Sequence, residues 1–484
     1  MRTGAVHFRT VTAVAETRVS AEAPEQQRVP PSPAGPVDPG TPVHMPPGSR
    51  APAALQGLRF ARRPMTHALS AQRDHGDVWR IRVPTRAEAF VITCHPDHVR
   101  SLLKADPADA PSLTGESPLR PILGPNSVLT SVGARHMRQR KLLLPPFHGE
   151  AVQRYVETIA DIARQEIDHW PVGEPFALAP RMQAVTLEVI MRGVFGVGVA
   201  SAPTMSERRM RQALRRMLAA SMSPLYLLVE LRNARHLEPK GVLAVVMAMV
   251  DRQMYAVIRE RRAAADRARG DDVLSLLLAA RDEEGEPLTD HELRDELMSL
   301  VLAGHETTAN SLAWTIERLL RTPLAYERLR AHVRSDDREG AQEYLEATIY
   351  EAMRNRPVIP MIARLVTRPW RLGDYTVPAR TPVGVSIIAV HHRPDVYVDP
   401  HAFMPERFVG VKPGTYTWIP FGGGIRRCLG ATLAMAEQRV VLEAIVRRTD
   451  LLAPDPAPER PRMRNVTMIP RGGCLVRLAH RYPD

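Results

Sequence analysis

The chain has 484 residues, enough for one large domain or two to three average ones, with 5% aromatic residues and a formal net charge of +12. Three cysteines exclude a disulfide-stapled framework and are typical of a reducing compartment, so we expect a cytoplasmic protein. The charge is carried almost wholly by arginine without any nucleic-acid-binding motif. We therefore expect no nucleic acid partner, and either a solvated basic surface or an acidic protein partner.

The amino-terminal segment is dense in proline. Proline lacks the backbone N–H that helices and sheets use, so residues 1–50 are predicted to form a disordered leader, with ordered structure from about Ala54. Trp79, Ile81 and Val83 then alternate with polar residues, which predicts one strand of a half-buried hairpin. The chain contains no apolar run of about 18 residues, so no transmembrane segment is predicted.

Two stretches before the middle of the chain are candidates for lining a ligand site. Residues 110–130 lack periodicity, and so long a loop inside a compact domain is usually functional. Residues 221–231 are unusually apolar; Met222 there could face an apolar ligand, although plain helix packing explains the run as well. Between them, a helix predicted from Gly133 places His136 and Arg140 on one face.

A long helix is predicted from Thr289 to about Arg321. Thr289 and Glu292 have the spacing of a capping box, and Pro323 follows the expected end. A helix of this length spans roughly 48 Å, enough to cross a whole domain.

The middle of that helix carries an unusual turn. Gly304 weakens the helix, and the Thr307 hydroxyl can donate to the Ala303 carbonyl, which would open or bend the hydrogen-bond ladder. Glu306 beside Thr307 forms an acid–alcohol pair, suited to holding water and relaying protons. His305 is interpreted as a non-ligand residue. Taken alone, Thr307 is interpreted as a structural capping or back-bonding residue.

The carboxy-terminal part contains a glutamate and an arginine three residues apart, Glu351 and Arg354, which can pair on one helix face. The spacing is weak evidence, because Glu327 and Arg330 repeat it. Residues 369–392 are predicted to form short strands.

The segment FGGGIRRCLG, called the cysteine loop below, spans Phe421–Gly430 and holds Cys428. Its glycines permit a tight turn that approaches a large flat ligand, and Arg426 supplies a cation for an anionic group beside that ligand. Gly430 opens an apolar-periodic run that predicts a helix, whose amino terminus favours a thiolate. A single thiolate suits a haem iron better than zinc.

The pattern Phe-x-x-Gly-x-Arg-x-Cys-x-Gly resembles the haem-binding loop of the cytochrome P450 family at each position: Phe421, Gly424, Arg426, Cys428 and Gly430. The competing interpretation is a glycine-rich turn with an inert buried cysteine. The resemblance extends from about Pro46 to the carboxy terminus. It implies a mainly α fold with a smaller β region, in which residues 51–484 form a single domain and haem lies between the long central helix and the cysteine loop.

The resemblance also implies roles for residues outside the loop. Glu306 and Thr307 would deliver protons to dioxygen, and Gly304 would leave room for it. The residues implied to hold the haem propionates are His136, Arg140 and Arg364, and those implied to form a buried ion network are Glu351, Arg354 and Arg407. The candidate substrate pocket comprises Leu113, Ile122, Met222, Ala303, Val358, Ile359 and Met361.

The implied reaction is monooxygenation of a lipophilic small molecule with O2, at haem b held by the Cys428 thiolate. Electrons would come from an external partner, a ferredoxin or a similar acidic protein docking near Arg426, Arg427 and Arg439. Two alternatives stay open: a haem-thiolate enzyme that uses peroxide, and a haem sensor or carrier without enzymatic activity.

Overall fold

The computed structural model describes residues 29–83, 89–113, 119–147, 149–197, 202–221, 229, 232–233, 236–264 and 272–483. One sequence expectation needs correction. Residues 29–50 fall in the predicted disordered leader, yet Ala34–Pro36 form strand β1, which pairs antiparallel with β6 (Trp370–Leu372). Proline is tolerated there because β1 is the edge strand of its sheet, where a missing N–H costs no ladder bond.

The described chain is mainly helical, as the sequence predicted. None of its described helices combines the length and apolarity needed to cross a bilayer. The helices are α1 (Ala53–Arg62), α2 (Pro64–His75), α3 (Pro96–Lys104), α4 (Arg120–Leu123), α5 (Gly133–Leu143), α6 (Glu150–Asp168), α7 (Leu178–Gly193), α8 (Met205–Ser221), α9 (Val242–Ala264), α10 (Val273–Ala279), α11 (Asp290–Leu320), α12 (Pro323–Arg334), α13 (Arg338–Asn355), α14 (Ile387–His391) and α15 (Ala431–Arg448).

The strands form small sheets, in the orders β1-β6-β7, β2-β3-β8-β5, β4-β12-β9 and β10-β11. The predicted hairpin around Trp79 is confirmed, since β2 and β3 pair antiparallel. The remaining strands are β2 (Val78–Ile81), β3 (Phe90–Thr93), β4 (Pro175–Ala177), β5 (Met361–Val366), β7 (Tyr375–Val377), β8 (Thr381–Ser386), β9 (Thr449–Leu452), β10 (Pro461–Arg464), β11 (Thr467–Pro470) and β12 (Leu475–Arg481).

Helix α11 is the predicted long helix, and its capping box is confirmed. The Glu292 N–H donates to the Thr289 hydroxyl over 3.2 Å, and the Thr289 N–H donates to the Glu292 carboxylate over 2.9 Å. These bonds satisfy backbone groups that the first turn would otherwise leave open.

Two apolar clusters share α11, and the position of the functional site follows from the gap between them. The first half of α11, through Val301, packs with α8 and α9, whereas the second half of α11, from Ala309, packs with α6 and α13. Residues 302–308 lie between these packed segments and are largely only partly buried. This middle turn is therefore where a cavity opens beside the helix.

Candidate active site

A cavity of about 1030 Å³ lies between the middle turn of α11 and the cysteine loop. Its walls are mostly apolar, with polar and charged groups both beside the loop and along α11. That combination is typical of a small-molecule or cofactor site. The sequence-predicted residues that line it are Leu113, Ile122, His136, Arg140, Ala303, Gly304, Glu306, Thr307, Val358, Ile359, Met361, Arg364, Phe421, Arg426, Cys428 and Gly430.

Cys428 alone of the three cysteines, all of them within the described residues, lines this cavity. Cys94 and Cys474 are fully buried elsewhere, as expected of packed residues. The protein encloses Cys428, and the open surface of its side chain faces the cavity. Enclosure raises the pKa of the thiol, while the Gly430 backbone and nearby arginines lower it in part.

The loop reaches this position through a tight backbone turn. The Cys428 N–H donates to the Phe421 carbonyl over 2.9 Å, and Gly424 has φ of 61°. A Cβ added at Gly424 would lie 2.0 Å from the backbone oxygen of Leu103 at the end of α3. Gly424 is absent from the described cavity wall, so its contribution is the close approach of the loop to α3.

Four basic side chains converge beside the cysteine loop: His136, Arg140, Arg364 and Arg426. Burial together with the neighbouring arginines lowers the pKa of His136 to about 4 and that of Arg426 to about 10. Burial alone lowers the pKa of Arg364. Among the described residues no carboxylate pairs with these arginines, although Arg426 donates to the backbone carbonyls of Val128 and Ser131.

Buried cations without a carboxylate are costly unless an anionic ligand neutralises them. The two propionates of haem carry the required charge, and Cys428 lies in the same cavity to supply a thiolate ligand. The residues present therefore fit haem.

In the middle turn of α11, the Thr307 hydroxyl donates to the Ala303 carbonyl over 2.5 Å, as the sequence predicted. The helix nevertheless continues through this turn without interruption. A Cβ on Gly304 would lie 3.1 Å from Ile190 of α7, so the glycine also permits close packing of the two helices. His305 is buried, and burial lowers its pKa to about 4.

Glu306 has two partners that the sequence analysis did not identify. Arg464 of β10 approaches the Glu306 carboxylate to 2.7 Å, and the Thr467 hydroxyl of β11 donates to it over 2.8 Å. Nothing in the local sequence could have indicated these contacts, because the partners lie about 160 residues further along the chain.

Glu351 and Arg354 form an ion pair in which both side chains are fully buried, with two contacts of 2.7 Å. Arg407 joins them at 3.4 Å from Glu351. Arg354 also donates to the His391 carbonyl, and His391 Nε2 accepts the backbone N–H of Ile419 over 2.8 Å. The network is thus connected to the segment leading into the cysteine loop.

Several apolar wall residues were missed, because helical periodicity cannot distinguish a cavity wall from ordinary core. They are Val189, Ile190, Met217, Leu243, Val246 and Met247. Val466, in the turn between β10 and β11, was missed as well. Met222 lies outside the described residues.

The expected docking arginines differ in their environment. Arg426 points inward to two carbonyls and the cavity, and is therefore wrong as a docking residue. Arg439 pairs with Glu346 at 3.1 Å. Arg427, beside Cys428, is exposed and also belongs to the residues that line the cavity.

A family model described as cytochrome P450 matches residues 45–476. A Mycobacterium tuberculosis protein provisionally named cytochrome P450 137 is 40% identical over 364 residues, which cover 75% of each chain. A Mycobacterium bovis protein provisionally named cytochrome P450 135B1 is 36% identical over 441 residues, which cover 90% of this chain and 91% of the relative.

Two solved structures share the fold with a TM-score of 0.74. Retinoic acid-bound cyanobacterial CYP120A1 is 21% identical, and the match covers 91% of this chain and 100% of the other. The cytochrome P450DA haem domain is 22% identical, and the match covers 91% of this chain and 99% of the other.

Proposed function

The chain belongs to the cytochrome P450 family of haem-thiolate monooxygenases, and from this membership we propose that it inserts one oxygen atom of O2 into a C–H bond of a lipophilic small molecule. One observation carries the proposal: Cys428 and the Glu306–Thr307 pair line the same cavity. Haem, when bound, supplies the chemistry of oxygen activation.

The chain's own residues hold the cofactor and manage protons. Cys428 would provide the thiolate ligand of the iron, and His136, Arg140, Arg364 and Arg426 would hold the propionates. The apolar walls exclude water and orient the substrate. The Glu306 carboxylate takes up protons and passes them on, and the Thr307 hydroxyl relays them into the cavity.

The substrate class follows from the cavity lining. The described wall is mainly apolar, and the arginines on it lie beside the cysteine loop, where the propionates would bind. Burial of apolar surface would therefore dominate substrate affinity. The structural relative CYP120A1 has retinoic acid bound, a lipophilic ligand that agrees with this proposal without identifying the substrate of this chain.

The electron donor is proposed to be a ferredoxin or another acidic protein that docks at Arg427. The exposed guanidinium beside Cys428 and the net charge of +12 support an acidic partner. Arg427→Glu should slow reduction several-fold and weaken its salt dependence. Arg447→Glu, at the far end of α15, is the matched control; equal effects of the two changes would contradict docking at Arg427.

A cytoplasmic location is proposed as well. All three cysteines are free thiols, as in proteins of reducing compartments.

The absorption spectrum of the dithionite-reduced protein with carbon monoxide tests the central proposal. A far red-shifted Soret band is expected, and Cys428→Ala should abolish it whereas Cys94→Ala should not. A band typical of histidine ligation would overturn the proposal. Turnover with a ferredoxin system, compared with turnover on peroxide alone, then separates the monooxygenase from a peroxide-using enzyme.

A further inference from the structure

The hairpin of β10 and β11 brings a polar clamp to the cavity. Its turn residues Asn465 and Val466, together with Thr467, line the cavity wall. Arg464 Nε donates to Glu306 Oε1 over 2.8 Å, Arg464 Nη2 lies 2.7 Å from the same oxygen, and the Thr467 hydroxyl donates to it over 2.8 Å. Three donor atoms from one hairpin thus converge on a single carboxylate oxygen.

The hairpin is itself anchored directly behind this clamp. The Trp314 indole N–H of α11 donates to the Met468 carbonyl over 3.1 Å, and the Met468 N–H donates to the Val358 carbonyl over 2.7 Å. Trp314 and Met468 are fully buried. The Thr467 hydroxyl also lies 2.9 Å from the Arg464 carbonyl oxygen, a second acceptor for its single proton across the turn. Because these hydrogen bonds anchor the hairpin, Arg464 and Thr467 can hold the Glu306 side chain in one orientation.

Glu306 needs such a restraint. Its side chain is 23% exposed and that of Arg464 is 16% exposed, so the pair is partly shielded from water and its hydrogen bonds are charge-assisted. Without partners, a glutamate on a cavity wall samples several rotamers, and proton transfer depends on close and aligned geometry.

We propose that Arg464 is a positioning residue that, together with Thr467, fixes the Glu306 carboxylate against the carboxy-terminal hairpin for proton delivery to the cavity. This inference rests on the proposed monooxygenase function. Because the turn of the same hairpin forms part of the cavity wall, one element sets both the shape of the pocket and the position of the acid.

The activity test compares four variants of the haem-loaded full chain. The measured quantity is coupling, the fraction of NADH consumption that does not end as hydrogen peroxide, with a surrogate ferredoxin and its reductase as electron donors. Arg464→Gln should release at least several-fold more hydrogen peroxide per NADH than the wild type, because proton delivery to the cavity is less efficient. Arg464→Lys should restore most of the coupling, and Thr467→Val should have a smaller effect. Arg462→Gln, an exposed position on the same strand, should match the wild type.

The dependence of coupling on pH separates positioning from a structural role. A clamp that places the acid predicts a changed pH profile in Arg464→Gln and a profile near that of the wild type in Arg464→Lys. Identical profiles and coupling in all variants would overturn the inference.

Hydrogen exchange provides a readout independent of turnover. Arg464→Gln should raise amide exchange at residues 464–467, while exchange at Met468 stays low because α11 and Val358 hold it. Unchanged exchange at the tip would show that the contact does not fix the hairpin to Glu306. The carbon monoxide band reports on the proposed function separately: if the wild type lacks the band, that function fails, while the exchange comparison still tests the clamp.

Discussion

Replacing Glu351 with glutamine tests the buried ion network more sharply than any other single change. The five N–H groups of Arg354 make five hydrogen bonds, two to Glu351 and three to the carbonyls of His391, Pro400 and Ala402. Glu351→Gln keeps the shape of the side chain but removes the charge that compensates a fully buried guanidinium. It also points an amide N–H₂ at a group that can only donate.

We expect a loss of about 3–5 kcal/mol in the free energy of unfolding, the range for leaving a buried charge without its partner. The chain contains a matched control in Glu327 and Arg330, which have the same spacing and a 3.3 Å contact. The Glu327 side chain is 67% exposed, so Glu327→Gln should cost less than about 1 kcal/mol.

Urea denaturation of the haem-loaded proteins, followed by far-UV circular dichroism, measures both free energies. The Soret band, followed in parallel, reports whether the cysteine loop is lost together with the network, as expected from the path through His391 to Ile419. If Glu351→Gln costs no more than Glu327→Gln, the network is not a major source of stability and the reasoning from burial is refuted.

Other changes give distinct signatures. Burial raises the pKa of Glu437 from 4.5 to about 8, so the folded state binds the proton more tightly than the unfolded state does. The free energy of unfolding should therefore fall as the pH rises from about 4.5 through 8. Glu437→Gln should reduce the difference between the free energies of unfolding measured at pH 5 and at pH 8. Gly424→Ala should lower haem content, measured by absorbance, because its Cβ would collide with the Leu103 carbonyl; a normal content would contradict the packing argument. Arg426→Gln should weaken haem retention in transfer to apomyoglobin, whereas Arg447→Gln should not.

Much of the site was predictable because its signals are local. The spacing of Phe421, Arg426 and Cys428 lies within one loop, and the capping box of Thr289 lies within one helical turn. The bond from Thr307 to Ala303 likewise follows from helix geometry, which puts residues four apart on one face. In each case neighbours in the chain are also neighbours in space, so periodicity and spacing carry the information.

The tertiary structure decided what distant segments do to one another. From the sequence, Arg426 was predicted both to bind a haem propionate and to belong to a docking surface. The structure shows that its side chain points inward and donates to the carbonyls of Val128 and Ser131. Glu306 acquired Arg464 and Thr467 from a hairpin that no local pattern connects to α11. Side-chain direction and long-range contacts depend on how the elements pack. The local sequence around an exposed arginine does not differ from that around an arginine that binds a distant carboxylate, because only the packing brings the carboxylate within reach.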